Sequence, residues 1–220
     1  MKVYFTKLLT LVCACCLIAM SFPITANATR EAASQTTVHV YIIGDSIMAG
    51  GGFTDNNLGL AEFLANKSDD KVHYDIIDVS KGGAELCDGI KVQSEIIACQ
   101  MNPKATNVVL FDGGANDIWQ NCKDDHVACA TQIYSTLAPK CNGNIFYISP
   151  NYLSNTVYNL NGLSTLINLA IPFYTGCRTL YLSEMGLSSA DTIDKIHPNE
   201  IAYIIMADSI DSTIRNTLRL

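Results

Sequence analysis

VHVYIIGDS, residues Val38–Ser46, opens the folded part of the chain. Its first six residues form a short, continuous apolar run rich in β-branched and aromatic side chains. Such a run reads as a strand covered on both faces. Gly44 then permits a tight turn, and Asp45-Ser46 stands where a helix would begin. Four further runs have the same character: Val72–Val79, Asn107–Phe111, Ile145–Ser149 and Thr179–Leu182. Segments of helical length lie between and after them, near Leu58–Lys67, Ile90–Gln100, Asp125–Leu137, Leu163–Tyr174 and Asn199–Leu218. Five strands alternating with helices imply right-handed crossovers and an α/β fold. The expected architecture is a three-layer α/β/α sandwich around a five-stranded parallel sheet, flavodoxin-like in kind.

In such sheets the reactive loops gather beyond the carboxyl ends of the strands. Ser46 follows the first strand, Gly82 the second and Asn116 the third, so all three fall on one edge. Asp194 and His197, in Asp194-Lys195-Ile196-His197-Pro198, precede the last helix. A serine hydroxyl is a weak nucleophile until a base takes its proton. His197 can be that base, with Asp194 folded back in a turn to accept from its Nδ1–H and fix the tautomer. Asp191 is a second candidate for that orienting role. The Ser46 and Gly82 backbone N–H groups and the Asn116 side-chain amide are candidate donors to a developing oxyanion, with Asp117 expected to cap the following helix and leave Asn116 available. Taken singly, each motif has an ordinary structural reading as a turn, a helix cap or a surface histidine. Their order and placement make one site for acyl transfer. There is no Gly-x-Ser-x-Gly elbow, which argues against the common α/β-hydrolase arrangement.

These blocks resemble those of the SGNH, or GDSL-type, hydrolases over nearly the whole chain from the first strand to the last helix. The first block is Gly44-Asp45-Ser46-Ile47-Met48-Ala49-Gly50, the glycine block Ser80-Lys81-Gly82-Gly83, the third Gly114–Asp117 and the last Asp194–Pro198. The resemblance implies Ser46 as nucleophile, His197 as base, Asp194 as orienter, and an oxyanion hole from Ser46, Gly82 and Asn116. Ser80 and Gly83 depart from the usual glycine block, which leaves Gly83 as a rival to Gly82.

Residues 1–28 carry Lys2 and Lys7, an apolar stretch from Leu8 to about Phe22, and small residues at Ala26 and Ala28. This is the pattern of a cleavable signal peptide, too short in its apolar part for a comfortable membrane span. A loose arm is expected at 29–36 and a hydrolase domain at 37–220, with a secreted or periplasmic location. Removing Lys2 and Lys7 leaves 12 basic against 21 acidic residues, a net charge of −9. Nothing basic is clustered, so binding to nucleic acid or to an anionic bilayer is disfavoured.

Six cysteines follow residue 28, an even number that suggests disulfides in an exported domain. Cys141 and Cys177 each precede one of two adjacent strands, which favours a Cys141–Cys177 bridge. Cys122–Cys129 is then a local bridge and Cys87–Cys99 is left by elimination, although a straight helix would hold that last pair about 18 Å apart. Within 29–220 no Cys-x-x-Cys or His-x-x-x-His spacing occurs, and neither metal nor cofactor is called for.

The expected activity is that of an exported serine esterase on a small-molecule or polymer-borne acyl ester, lipase-, lysophospholipase- or thioesterase-like. A carbohydrate O-acetylesterase is the alternative, and a non-catalytic binding module on the same fold a second. Trp119, Tyr152, Leu153 and Tyr158 are the candidate substrate-binding residues, able to line an acyl groove or to stack on sugars.

Overall fold

The computed structural model describes residues 34–50, 58–120, 122, 125–149 and 169–220, all within one compact unit, Ser34–Leu220. The expected signal peptide, most of the arm, Tyr152, Leu153 and Tyr158 lie outside these residues.

Five strands form one parallel sheet: β1 (Thr36–Ile43), β2 (Val72–Asp78), β3 (Asn107–Phe111), β4 (Ile145–Ser149) and β5 (Arg178–Tyr181), in the order β2-β1-β3-β4-β5. The α/β sandwich read from the sequence is the fold observed. Thr36, expected in the arm, instead pairs with Val72 at the start of β1. The helices are α1 (Ser46–Ala49), α2 (Leu60–Ala65), α3 (Lys91–Gln100), α4 (Ala115–Trp119), α5 (His126–Leu137) and α6 (Glu200–Leu218). Residues 169–175 are also helical. A π-helical turn, Leu86–Ile90, leads into α3.

The central strands β1, β3 and β4 are largely buried on both faces, as their apolar runs require, while the edge strands β2 and β5 are partly exposed. Val38, Val40 and Ile42 of β1 face a core shared with α2 and α6, including Leu60, Leu64, Tyr203, Met206 and Ile210. Tyr41 and Ile43 face the opposite core, with Ile90, Ile97, Ile133 and Leu137. Asp125 and Asn199 start their helices by accepting from the N–H groups of Ala128 (3.0 Å) and Ala202 (2.9 Å). Tyr203, fully buried on α6, donates its hydroxyl to the Ile47 carbonyl at 2.8 Å and stacks on Phe63. That contact fixes the last helix, and the loop ahead of it, against α1. Among the described residues no helix is long and apolar enough to cross a membrane.

The disulfide scheme is corrected. Cys87 in the π-helical turn is bonded to Cys129 on α5, with Cα atoms 5.1 Å apart. This removes one partner from each of the expected Cys87–Cys99 and Cys122–Cys129 bridges. Cys141 and Cys177 are buried thiols. β4 and β5 are neighbours, but Phe146 pairs with Arg178. Cys177 is therefore level with residue 145, four residues beyond Cys141. Burial pushes the Cys141 thiol up to about 11, and Thr175 Oγ1 donates to Cys177 Sγ at 3.0 Å.

Candidate active site

The chain turns sharply at the end of β1. Gly44 has φ +154°, and a Cβ there would sit 1.8 Å from Asp112 Oδ1. Only glycine lets the two strand ends approach this closely. The Gln93 side chain on α3 clamps the turn, its Oε1 accepting from Gly44 N (2.7 Å) and its Nε2 donating to Gly44 O (3.0 Å). Asp45 caps α1 by accepting from Ile47 N at 2.9 Å. Ser46, the first residue of α1, is left partly exposed at the sheet edge.

His197 Nε2 is 2.9 Å from Ser46 Oγ. Its Nδ1 is 2.7 Å from Asp194 Oδ2, while Asp194 Oδ1 accepts from the backbone N–H groups of Ile196 (3.0 Å) and His197 (2.8 Å). The turn that allows this puts Lys195 at φ +71°, a left-handed conformation uncommon for a residue with a side chain. The loop is closed by pairing of Thr192 with Pro198. Burial acts to raise the Asp194 carboxyl, but the hydrogen bonds and charge from His197 win and hold it below the usual range. Asp191 is engaged elsewhere: its Oδ2 accepts from the Ser188 amide and hydroxyl, both at 2.9 Å.

Gly82 lies beside the serine, where an added Cβ would meet Ser46 Cβ at 3.7 Å, whereas one on Gly83 would meet nothing within 4 Å. Among the described residues, neither the Ser46 nor the Gly82 backbone N–H donates to a protein acceptor. Asn116 is buried, and its side-chain nitrogen lies 3.0 Å from Asp45 Oδ2 and 3.2 Å from the Ala84 carbonyl. Both amide protons thus have acceptors, and an oxyanion would have to share one. Asp117 does not cap α4, whose N-cap is Gly114. Its carboxylate instead accepts from Leu86 N at 3.1 Å, tying α4 to the π-helical turn.

Ser46, Gly82, Asn116, Asp194 and His197 all line one cavity of about 340 Å³. Its other walls include Ile47, Ala115, Ile196 and Trp119, a residue 59% exposed. Among the described residues, no group of three or more His, Cys, Asp or Glu side chains is arranged to hold a metal ion.

A residue not singled out from the sequence is hydrogen-bonded to Asp45, the residue before the serine. Asp112, at the end of β3, is wholly buried, as is Asp45. Its Oδ1 accepts from Asp45 N at 2.9 Å, while its Oδ2 is buried without a hydrogen-bond partner among the described residues. Burial, then the adjacent Asp45 charge, push Asp112 well above the carboxylate range; burial also raises Asp45. The only signal in the sequence is an acidic residue at the end of an apolar strand, which ordinarily reads as a turn.

A family model described as GDSL-like lipase/acylhydrolase matches residues 40–173. No match is found among curated proteins. Three solved structures illustrate the likeness. A catalytic mutant of an acetylxylan esterase from Geobacillus stearothermophilus is 17% identical, with a TM-score of 0.63 over 82% of this chain and 95% of that one. A psychrotrophic esterase from Pseudoalteromonas sp. is 21% identical, with a TM-score of 0.59 over 83% and 99%. A lipase/acylhydrolase from Enterococcus faecalis is 17% identical, with a TM-score of 0.59 over 81% and 96%. At these identities the likeness is one of fold.

Proposed function

The chain belongs to the GDSL-like lipase/acylhydrolase family and is an ester-hydrolysing enzyme; on that basis we propose that it is an exported serine esterase cleaving acyl esters through a Ser46 acyl-enzyme. The observation that carries this reading is the continuous Asp194–His197–Ser46 hydrogen-bond chain at the wall of an open cavity.

His197 Nε2 takes the Ser46 proton as Oγ attacks the ester carbonyl carbon, and its Nδ1–H donates to Asp194 throughout. The carbonyl oxygen becomes an oxyanion, stabilised by the Ser46 and Gly82 N–H groups and by the Asn116 amide. Collapse expels the alcohol, which takes the proton back from His197. Water, deprotonated by the same nitrogen, then releases the acid and regenerates Ser46.

The largely apolar walls formed by Ile47, Ala115, Ile196 and Trp119 support an acyl chain as the bound group. A second reading, a carbohydrate O-acetylesterase, is favoured by Trp119, whose exposed ring at the cavity could stack on a sugar. Export is supported by the signal-like residues 1–28 and by the Cys87–Cys129 disulfide.

The test compares purified protein on p-nitrophenyl acetate, butyrate, octanoate and palmitate with acetylated xylan, beside Ser46→Ala and labelling by a serine-directed phosphonate. Chain-length preference on the aryl esters supports the acyl reading, and deacetylation of xylan alone supports the second. Activity surviving in Ser46→Ala, or phosphonate attached elsewhere, refutes both.

A further inference from the structure

Asp45, the residue before the nucleophile, and Asp112, which accepts from its backbone N–H, form a buried carboxyl pair, 1% and 0% exposed. Three of their four oxygens have N–H partners: Asp45 Oδ1 takes Ile47 N, Asp45 Oδ2 takes Asn116 Nδ2, and Asp112 Oδ1 takes Asp45 N. The fourth, Asp112 Oδ2, is buried and receives no donor from the surrounding protein. Two adjacent buried carboxylates would repel each other at low dielectric, and a single shared proton removes that cost. It also gives Asp112 Oδ2, which otherwise has no partner among the described residues, a hydroxyl to donate toward the Asp45 carboxylate.

The groups around the pair neither supply this proton nor cancel the charge. Among the described residues no lysine or arginine is ion-paired with either carboxyl. Asp78 adds negative charge near Asp112 and Asp117 near Asp45, while His197 acts on Asp45 in the opposite sense. The buried Tyr147 and Tyr203 phenols each donate to a backbone carbonyl, of Gly113 at 2.9 Å and of Ile47 at 2.8 Å.

We infer that Asp112 is a positioning residue of this esterase: through one proton shared between two buried carboxyls it fixes Asp45, and through Asp45 the oxyanion-binding amide of Asn116. The connection is short. Asp112 Oδ1 holds Asp45 by its backbone N–H, and Asp45 Oδ2 anchors one Asn116 proton while the longer contact to Ala84 O is the one an oxyanion can share. Leaving Asp45 without its donor frees that carboxylate to turn, and Asn116 with it. Misplacing a preorganised donor costs transition-state stabilisation more than substrate binding.

The inference rests on the serine-esterase reading, so its test has one arm that needs turnover and one that does not. Asp112→Ala should lower kcat roughly 10- to 100-fold with little change in KM, a smaller loss than the ~10²–10³ of removing an oxyanion donor outright. Asp112→Asn, whose amide keeps both an acceptor for Asp45 N and a donor for the Asp45 carboxylate, should recover most of that loss. In an Asn116→Ala background, Asp112→Ala should add almost nothing, because its effect passes through Asn116. In the second arm, difference infrared spectra near neutral pH should show the C=O stretch of a protonated carboxyl in the wild type and its absence in Asp112→Asn. Equal losses with and without Asn116, failure of Asp112→Asn to recover activity while it remains folded, or no protonated-carboxyl band would each overturn the inference. If Asp112→Ala does not fold, Asp112→Asn and the infrared band decide it alone. An inactive wild type that still shows the band would count against the esterase reading and leave the shared proton standing.

Discussion

His197 Nε2 lies 2.9 Å from Ser46 Oγ across 151 residues of chain. The contact depends on two separate anchors. Tyr203 of α6 holds that helix to the Ile47 carbonyl on α1, one residue after the serine. Pro198 pairs with Thr192, and the Asp194 carboxylate gathers the N–H groups of Ile196 and His197, so the histidine reaches back from a closed loop.

Asp194→Asn should keep the fold and lower kcat by roughly 10²–10⁴, because an amide can hold the wrong imidazole tautomer. Asp191→Asn should leave turnover close to the wild-type value and act instead on stability, since Asp191 caps its own turn through Ser188. Steady-state kinetics with thermal melts on both variants separate the roles. The opposite ranking in kcat would make Asp191 the orienting carboxylate.

Asn116→Ala should reduce kcat by about 10²-fold, near the low end for an oxyanion donor, since the Ala84 carbonyl competes for the same proton in the resting enzyme. The KM should change little. An unchanged kcat would mean that Asn116 serves only to satisfy Asp45.

The strands and most helices were legible because each carries its own local signal: continuous apolar runs for the strands, and Asp125 and Asn199 as caps for α5 and α6. The meeting of Ser46, Gly82 and Asn116 was legible because their loops follow successive parallel strands to one edge, and Asp194 and His197 join them from the turn ahead of α6. What failed depended on relations between distant segments. Leu86–Ile90 looked like loop and helix start, but Gly89 packs against Ala84 and the turn is π-helical. The Cys141–Cys177 pairing needed a strand register that adjacency alone does not supply. Asp112 gains its meaning only from the close approach that Gly44 permits, a tertiary contact 68 residues away that no spacing reveals.

Peptide mapping without reduction should recover Cys87 linked to Cys129. The bridge spans 42 residues of sequence, so replacing both cysteines by serine should cost about 2–4 kcal/mol of stability, read from urea denaturation. Recovery of a Cys141–Cys177 peptide instead would contradict the β4–β5 register.

The last expectation concerns pH and stability. In the folded protein burial and the Asp45 charge raise Asp112 well above the ordinary carboxylate range, while in the unfolded chain it titrates near 3.9. Above about pH 4 the folded state therefore keeps a proton that the unfolded state releases. The sign follows from linkage. The contribution of this proton to stability is full below the unfolded value and declines as pH rises toward the folded one, by at most about 1.4 kcal/mol per pH unit. Asp112→Asn has no such proton to lose, while the raised carboxyls of Asp78 and Asp117 remain in both proteins and largely cancel in the comparison. The variant's unfolding free energy relative to wild type should therefore increase from about pH 4 to about pH 7 in urea titrations. A difference that stays flat over that range would mean that Asp112 is ionised in the fold, and that the buried carboxyls of Asp45 and Asp112 do not share a proton.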